Sequence, residues 1–139
     1  MPDNLELPPA EAVRLAQQLI DDGRPFHAHE VLEATWKAAP ADARALWKGL
    51  AQIAVGLTHA RRGNARGAVT LLRRGASAVA DCRGSAGTGQ DPADPAGGMR
   101  AAGLDLDIIL AATTGLADVI ATRGLDAVPP ADIRIPLRG

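Results

Sequence analysis

Apolar residues recur at helical spacing in five stretches of the chain. After Pro8-Pro9, the positions Val13, Ala16, Leu19 and Ile20 form one face, the i, i+3, i+4, i+7 signature of an amphipathic helix. Proline suits a first helical turn, where its missing N–H costs nothing. Gly23 predicts a left-handed stop, and Pro25 starts a second helix running to Ala38, before Pro40. A third begins near Asp42, a good N-cap, and carries Leu46, Leu50, Ile53 and Leu57. Gly63-Asn64 makes a tight corner into a fourth helix with Ala68, Leu71, Leu72, Ala76 and Val79. The fifth runs from about Asp105, its N-cap, to Thr122, and Gly124 ends it. Its buried face reads as Leu106, Ile109, Leu110, Thr113, Leu116, Ala117 and Ile120. No pair of alternating strands with a hairpin turn is present.

The short corners at Gly23 and Gly63 imply two antiparallel helical hairpins, closed by the fifth helix. The expected fold is an all-α compact bundle, one domain over residues 1–139. Residues 84–98, rich in Gly, Ala, Asp and Pro, read as a flexible loop inside that domain. The Pro-rich tail from Val128 to Gly139 is expected to lie extended against the body.

Composition narrows the picture. Hydrophobic residues make up 47% of the 139, but aromatics only 2%, so the core must be built from Ala, Leu, Val and Ile. A net charge of −1 gives no field that would recruit nucleic acid or an anionic membrane. No apolar run approaches the ~18 residues of a membrane span, and no secretory signal is visible. These features predict a cytoplasmic protein. The single cysteine, Cys82, reads as an incidental thiol. An Ala-rich bundle with so few aromatics has reason to form a homodimer and bury more surface.

The unusual chemistry lies between Phe26 and His59. At about 100° per residue, Phe26, His29, Glu30, Glu33, Trp36 and Lys37 share one face of the second helix. The chain's aromatics, Phe26, Trp36 and Trp47, all fall in this region, a setting that would desolvate the carboxylates. On the third helix Gly49, Gln52, Gly56 and His59 form a matching row. Two glycines in a helix each cost about 1 kcal/mol, which makes sense where another surface approaches closely. The His29/Glu33 face is the expected visitor.

Three readings of these residues stay open. They could form a satisfied polar network that fixes helix register. They could be a divalent metal site such as zinc, with His29, Glu33 and His59 as ligands and Glu30 as a general base; two histidines and a glutamate are a known catalytic zinc set. Or they could line a metal-free pocket for a small ligand or peptide, walled by Trp36 and Trp47 and lined also by Phe26 and Gln52. His27, off this face, is read as solvent-exposed. Arg61, Arg62 and Arg66 around the Gly63 corner read as a solvated basic turn or an anion site.

The motif Phe26-x-x-His29-Glu30-Val31-Leu32-Glu33-x-x-Trp36 is followed by Trp47-x-Gly49-Leu50-x-Gln52-x-Ala54-x-Gly56-Leu57-x-His59. Then comes Gly63-Asn64-x-x-Gly67-Ala68-x-x-Leu71-Leu72. Taken in order, the three resemble the DUF309 family of small helical proteins. Gly103-Leu104-Asp105 before the last helix fits as well. The resemblance implies an all-helical cytoplasmic protein and no assigned activity. A helical-hairpin interaction module is the alternative to a binding pocket.

Overall fold

A computed structural model describes residues 8–88 and 104–138. Five α-helices are present among them: α1 (Pro9–Asp21), α2 (Pro25–Ala38), α3 (Arg44–Arg61), α4 (Ala65–Thr88) and α5 (Leu106–Arg123). No strand occurs among the described residues, and none of the helices there is long and apolar enough to cross a membrane. Each helix packs on its neighbours in sequence: α1 on α2, α2 on α3, α3 on α4, α4 on α5. The buried core draws on all five and on the C-terminal tail.

The two hairpins turn by the same device. At the end of α1, Gly23 N–H donates to Ile20 C=O at 3.0 Å and Arg24 N–H to Leu19 C=O at 2.7 Å. At the end of α3, Gly63 N–H donates to Ala60 C=O at 3.2 Å and Asn64 N–H to His59 C=O at 2.9 Å. This pairing satisfies two otherwise orphaned carbonyls and needs a left-handed residue at its centre. Gly23 and Gly63 supply it, with φ of +79° and +82°. The next helix then starts at once, through Pro25 in one case and an Asn64 cap in the other.

Three boundaries differ from the sequence reading. α3 does not start on Asp42: the chain first makes a tight turn at Ala41–Ala43, and the N-cap is Ala43, with no side-chain cap bond. α4 stays helical through Thr88, so the first positions of the stretch read as a loop continue that helix. Extending an existing, well-packed helix by a turn is far cheaper than nucleating a new one. The rest of that stretch, 89–98, lies outside the described residues. One short 3₁₀ turn, Leu125–Ala127, precedes the tail and another, Pro130–Asp132, interrupts its extended course.

The tail is part of the core. Val128, Ile133, Ile135 and Leu137 are buried. Buried Gln17 on α1 holds it as a neighbouring strand would: Nε2 donates to Ile135 C=O at 3.2 Å, and Oε1 accepts from Leu137 N–H at 2.5 Å. Asp21 pairs with Arg134 at 2.9 Å, and Arg61 Nη1 donates to Pro130 C=O at 3.2 Å. The α1 stripe gives a clue to this role, because Gln17 is a lone polar residue beside Val13, Ala16 and Ile20.

Candidate functional site

α2 buries Pro25, Ala28 and Leu32, so its inward face is small and aliphatic. The row singled out from sequence lies along the edge of the helix. Phe26 is 45% exposed, Glu30 is exposed, and His29, Glu33 and Trp36 are half-buried. The expectation that aromatics would desolvate the carboxylates is therefore corrected, since the Glu33 side chain retains 38% of its exposure. His27 is exposed, as read.

Two contacts fix how α2 runs beside α3. The Arg62 guanidinium lies 5.7 Å from the centre of the Phe26 ring, and Lys48 Nζ lies 5.5 Å from that of Trp36. Both are cation–π distances. Phe26 is near the start of α2 and Arg62 just past the end of α3; Trp36 and Lys48 mark the opposite ends. The helices are thus antiparallel, and this register runs His29 and Glu33 alongside the Gln52–Val55–His59 stretch of α3. Lys48 was missed in the sequence reading and Arg62 was read there only as part of a basic turn, although Lys48, Gln52, Val55, His59 and Arg62 recur at spacings of three and four.

The glycine row faces a different partner from the one expected. A Cβ on Gly49 would meet Ala78 Cβ at 2.7 Å and Gly75 C=O at 3.3 Å. On Gly56 it would meet Leu72 Cγ at 2.9 Å. The close visitor is α4, and α2 packs along another side of α3. Trp47 is 4% exposed and belongs to the core, so it cannot wall an open pocket.

His59 is accounted for by the second corner. Asn64 Oδ1 accepts from Gly67 N–H at 3.0 Å, capping α4. That fixes the amide, so Asn64 Nδ2 donates to His59 Nδ1 at 3.1 Å and the ring proton sits on Nε2. The imidazole lies over Gly67, where a Cβ would stand 3.0 Å from its Cγ. Its Nδ1 lone pair is thus already used.

His29 differs. Its Nε2 is 3.6 Å from Glu33 Oε2, and Glu33 Oε1 is 3.6 Å from Lys37 Nζ, a ladder of i, i+4 pairs along the edge of α2. The Phe26 ring packs 5.8 Å away. Its other ring nitrogen, Nδ1, is buried and has no hydrogen-bond partner among the described residues. Thr113 Oγ1 on α5 is a second buried polar atom in that state, and nothing in the structure explains it.

Among the described residues, no group of three or more His, Cys, Asp or Glu side chains is placed to hold a metal ion. His29 and Glu33 give two donors, and His59 is held by Asn64. Two clefts lie elsewhere: one of about 310 Å³ beside Arg73, Ala76 and Leu110, and one of about 160 Å³ beside Asp21, Arg61 and Arg134. Cys82 is half-buried. Burial, and then the negative charge of Asp81, push its thiol above the ordinary 9.0, the wrong direction for a nucleophile.

Residues 13–71 match the family model described as Domain of unknown function (DUF309). The Gly103-Leu104-Asp105 triplet lies outside that match. No curated protein and no solved structure matches the chain.

Proposed function

We propose that this chain, whose residues 13–71 match the DUF309 model, a description that assigns no activity, is a binding domain taking a small polar ligand at the α2–α3 seam. One observation carries this reading: His29 Nδ1 is buried with no hydrogen-bond partner among the described residues. Buried polar atoms in folded proteins are nearly always paired, and one left alone costs about 1–3 kcal/mol. A polar network kept only for register would have filled it, as the Asn64–His59 contact fills its own.

The ligand called for is one with an N–H or O–H donor for Nδ1. The half-exposed Phe26 ring packs against His29 and is the side chain whose rotation uncovers it. Glu33 and the exposed Glu30 offer carboxylates on the same edge, Gln52 an amide across the seam, and Trp36 an aromatic wall. His59, held by Asn64, borders the seam as a positioned neighbour.

The test is a titration of ¹⁵N-labelled full-length protein with acetamide, urea and ethanolamine as donor probes. Shifts centred on residues 26–36 that vanish in His29→Leu would support the reading. No localised shift with any probe would reject it and favour the interaction module with a purely structural His/Glu ladder. Zinc is the control. The two donors of His29 and Glu33 predict loose binding, and a tight stoichiometric site lost in His29→Leu would replace the ligand seam with a metal centre.

A further inference from the structure

Arg62 and His29 meet the same aromatic ring. The Arg62 guanidinium lies 5.7 Å from the centre of the Phe26 ring, and the His29 ring lies 5.8 Å from it. Beyond His29 the contacts continue to Glu33, at 3.6 Å. Phe26 is exposed, so water and not protein bounds its free side.

Arg62 differs from the other arginines that touch the body of the protein. Arg73 is paired with Asp118 and Arg134 with Asp21, each at 2.9 Å. Arg44 and Arg61 each donate to a backbone carbonyl. Among the described residues the Arg62 guanidinium makes no hydrogen bond and no ion pair, and the Phe26 ring is its partner. An exposed cation–π contact is a weak hold. A carboxylate fits the fork of a guanidinium through two parallel hydrogen bonds and holds it better.

One motion releases both groups. Rotation of Phe26 uncovers His29 Nδ1, and it also takes away the ring on which Arg62 rests. A ligand entering where the ring stood meets a free guanidinium and an unpaired imidazole nitrogen together. Its anionic end belongs with Arg62. Exposed Arg24 lies just before Pro25, and α2 has no side-chain cap and no acidic residue in its first turn, so this end of the seam is electropositive. One turn further along α2 the sign changes. Glu30 is exposed and has no partner among the described residues, and Glu33 is shared between His29 and Lys37. The ligand group that donates to His29 Nδ1 therefore stands beside carboxylates, which favour a cationic donor. A dianionic phosphate would face them instead.

We propose, resting on the α2–α3 seam as a binding site, that its ligand is a small zwitterion of the amino-acid type. The carboxylate pairs with Arg62, and the ammonium donates to His29 Nδ1 and faces Glu30. Phe26 is the ring that the ligand displaces, and Arg62 holds that ring in place in the free protein.

The test is a titration of the ¹⁵N-labelled full chain with glycine, β-alanine, glycolate, acetate and ethylamine. At least one zwitterion should bind about tenfold tighter than acetate, ethylamine or glycolate, with shifts at residues 26–36 and at Arg62. Arg62→Met should remove that advantage, with unchanged helical circular dichroism and an intact response to acetamide and urea. Glu30→Gln should reduce the preference for the zwitterion over glycolate several-fold. Glycolate binding as tightly as the better zwitterion would overturn the ammonium assignment. An advantage that survives Arg62→Met would overturn the role of Arg62. Zwitterions no tighter than acetate, while acetamide and urea still shift residues 26–36, would overturn the ligand class and leave the seam as a binding site. Silence from every probe would overturn both.

Discussion

α3 lies between two helices and meets them differently. Against α4 the seam is closed: Gly49 and Gly56 face Ala78, Gly75 and Leu72 at distances with no room for another carbon. Against α2 the seam is edged by long side chains, with cations over aromatic rings at both ends and a half-buried histidine between. Small residues mark where backbones touch, and long polar ones line an edge where they do not. Although the glycine and polar rows are neighbours on α3, they serve different partners.

Gly49→Val gives the largest expected effect. Its Cβ would begin 2.7 Å from Ala78 Cβ, and two further methyls have nowhere to go. Overpacking of this kind costs typically 1–3 kcal/mol, and the rigid helix pair puts the loss near the top, at about 3 kcal/mol. Urea unfolding measures it. A neutral result would mean that the α3–α4 seam is loose and that the contrast with the open seam is false.

Asn64→Ala comes next. It removes the cap on Gly67 N–H and the partner of His59 Nδ1 together. Losing an N-cap costs about 1 kcal/mol, and the exposed hydrogen bond to His59 adds a fraction of that, so about 1–2 kcal/mol is expected in a thermal melt. Asn64→Asp keeps the cap acceptor but not the donor to His59 and should fall between. Equal losses for the two variants would mean that His59 gains nothing from the corner.

How much of this was legible follows from the kind of signal each residue carries. Gly23-x-Pro25 and Gly63-Asn64 are local chemistry, so the corners and the four helices around them could be placed from sequence. A glycine row says that something comes close but not which helix, so α4 was missed as its partner. The aromatic count flagged a site without distinguishing Trp47, which is core, from Phe26, which is exposed. Burial depends on how each helix is rotated about its axis, and Phe26 and Trp47 stand on different helices. The end of α4 was hidden because glycine content lowers propensity without setting a boundary. His29 was marked as unusual from its position, but only coordinates could show that its ring nitrogen has no partner.

Glu33→Gln should have a small effect. It breaks the His29–Glu33–Lys37 ladder, whose distances are 3.6 Å and whose Lys37 end is 69% exposed. Exposed i, i+4 pairs contribute about 0.3–0.5 kcal/mol and fade with salt. The expected loss is about 0.5 kcal/mol in dilute buffer and close to nothing at 1 M salt. A salt-insensitive loss above 1 kcal/mol would turn the ladder into a structural lock and close the contrast between the seams.

His29→Leu should have the smallest effect on stability, and its sign is the informative part. Replacing the half-buried ring removes a weak pair with Glu33 and also an orphaned ring nitrogen. Removing an unsatisfied polar atom in favour of an apolar group of similar size is often neutral or stabilising. The variant should therefore unfold at the same urea concentration as the wild type or slightly higher, by up to about 1 kcal/mol. The corner histidine supplies the reference, since His59→Leu removes a water-exposed hydrogen bond with Asn64 and should cost about 0.5–1 kcal/mol. If His29→Leu loses as much as His59→Leu, both histidines are parts of the scaffold. If it loses nothing, the fold does not need His29, and its retention at a cost to stability is the pattern expected of a residue held for binding.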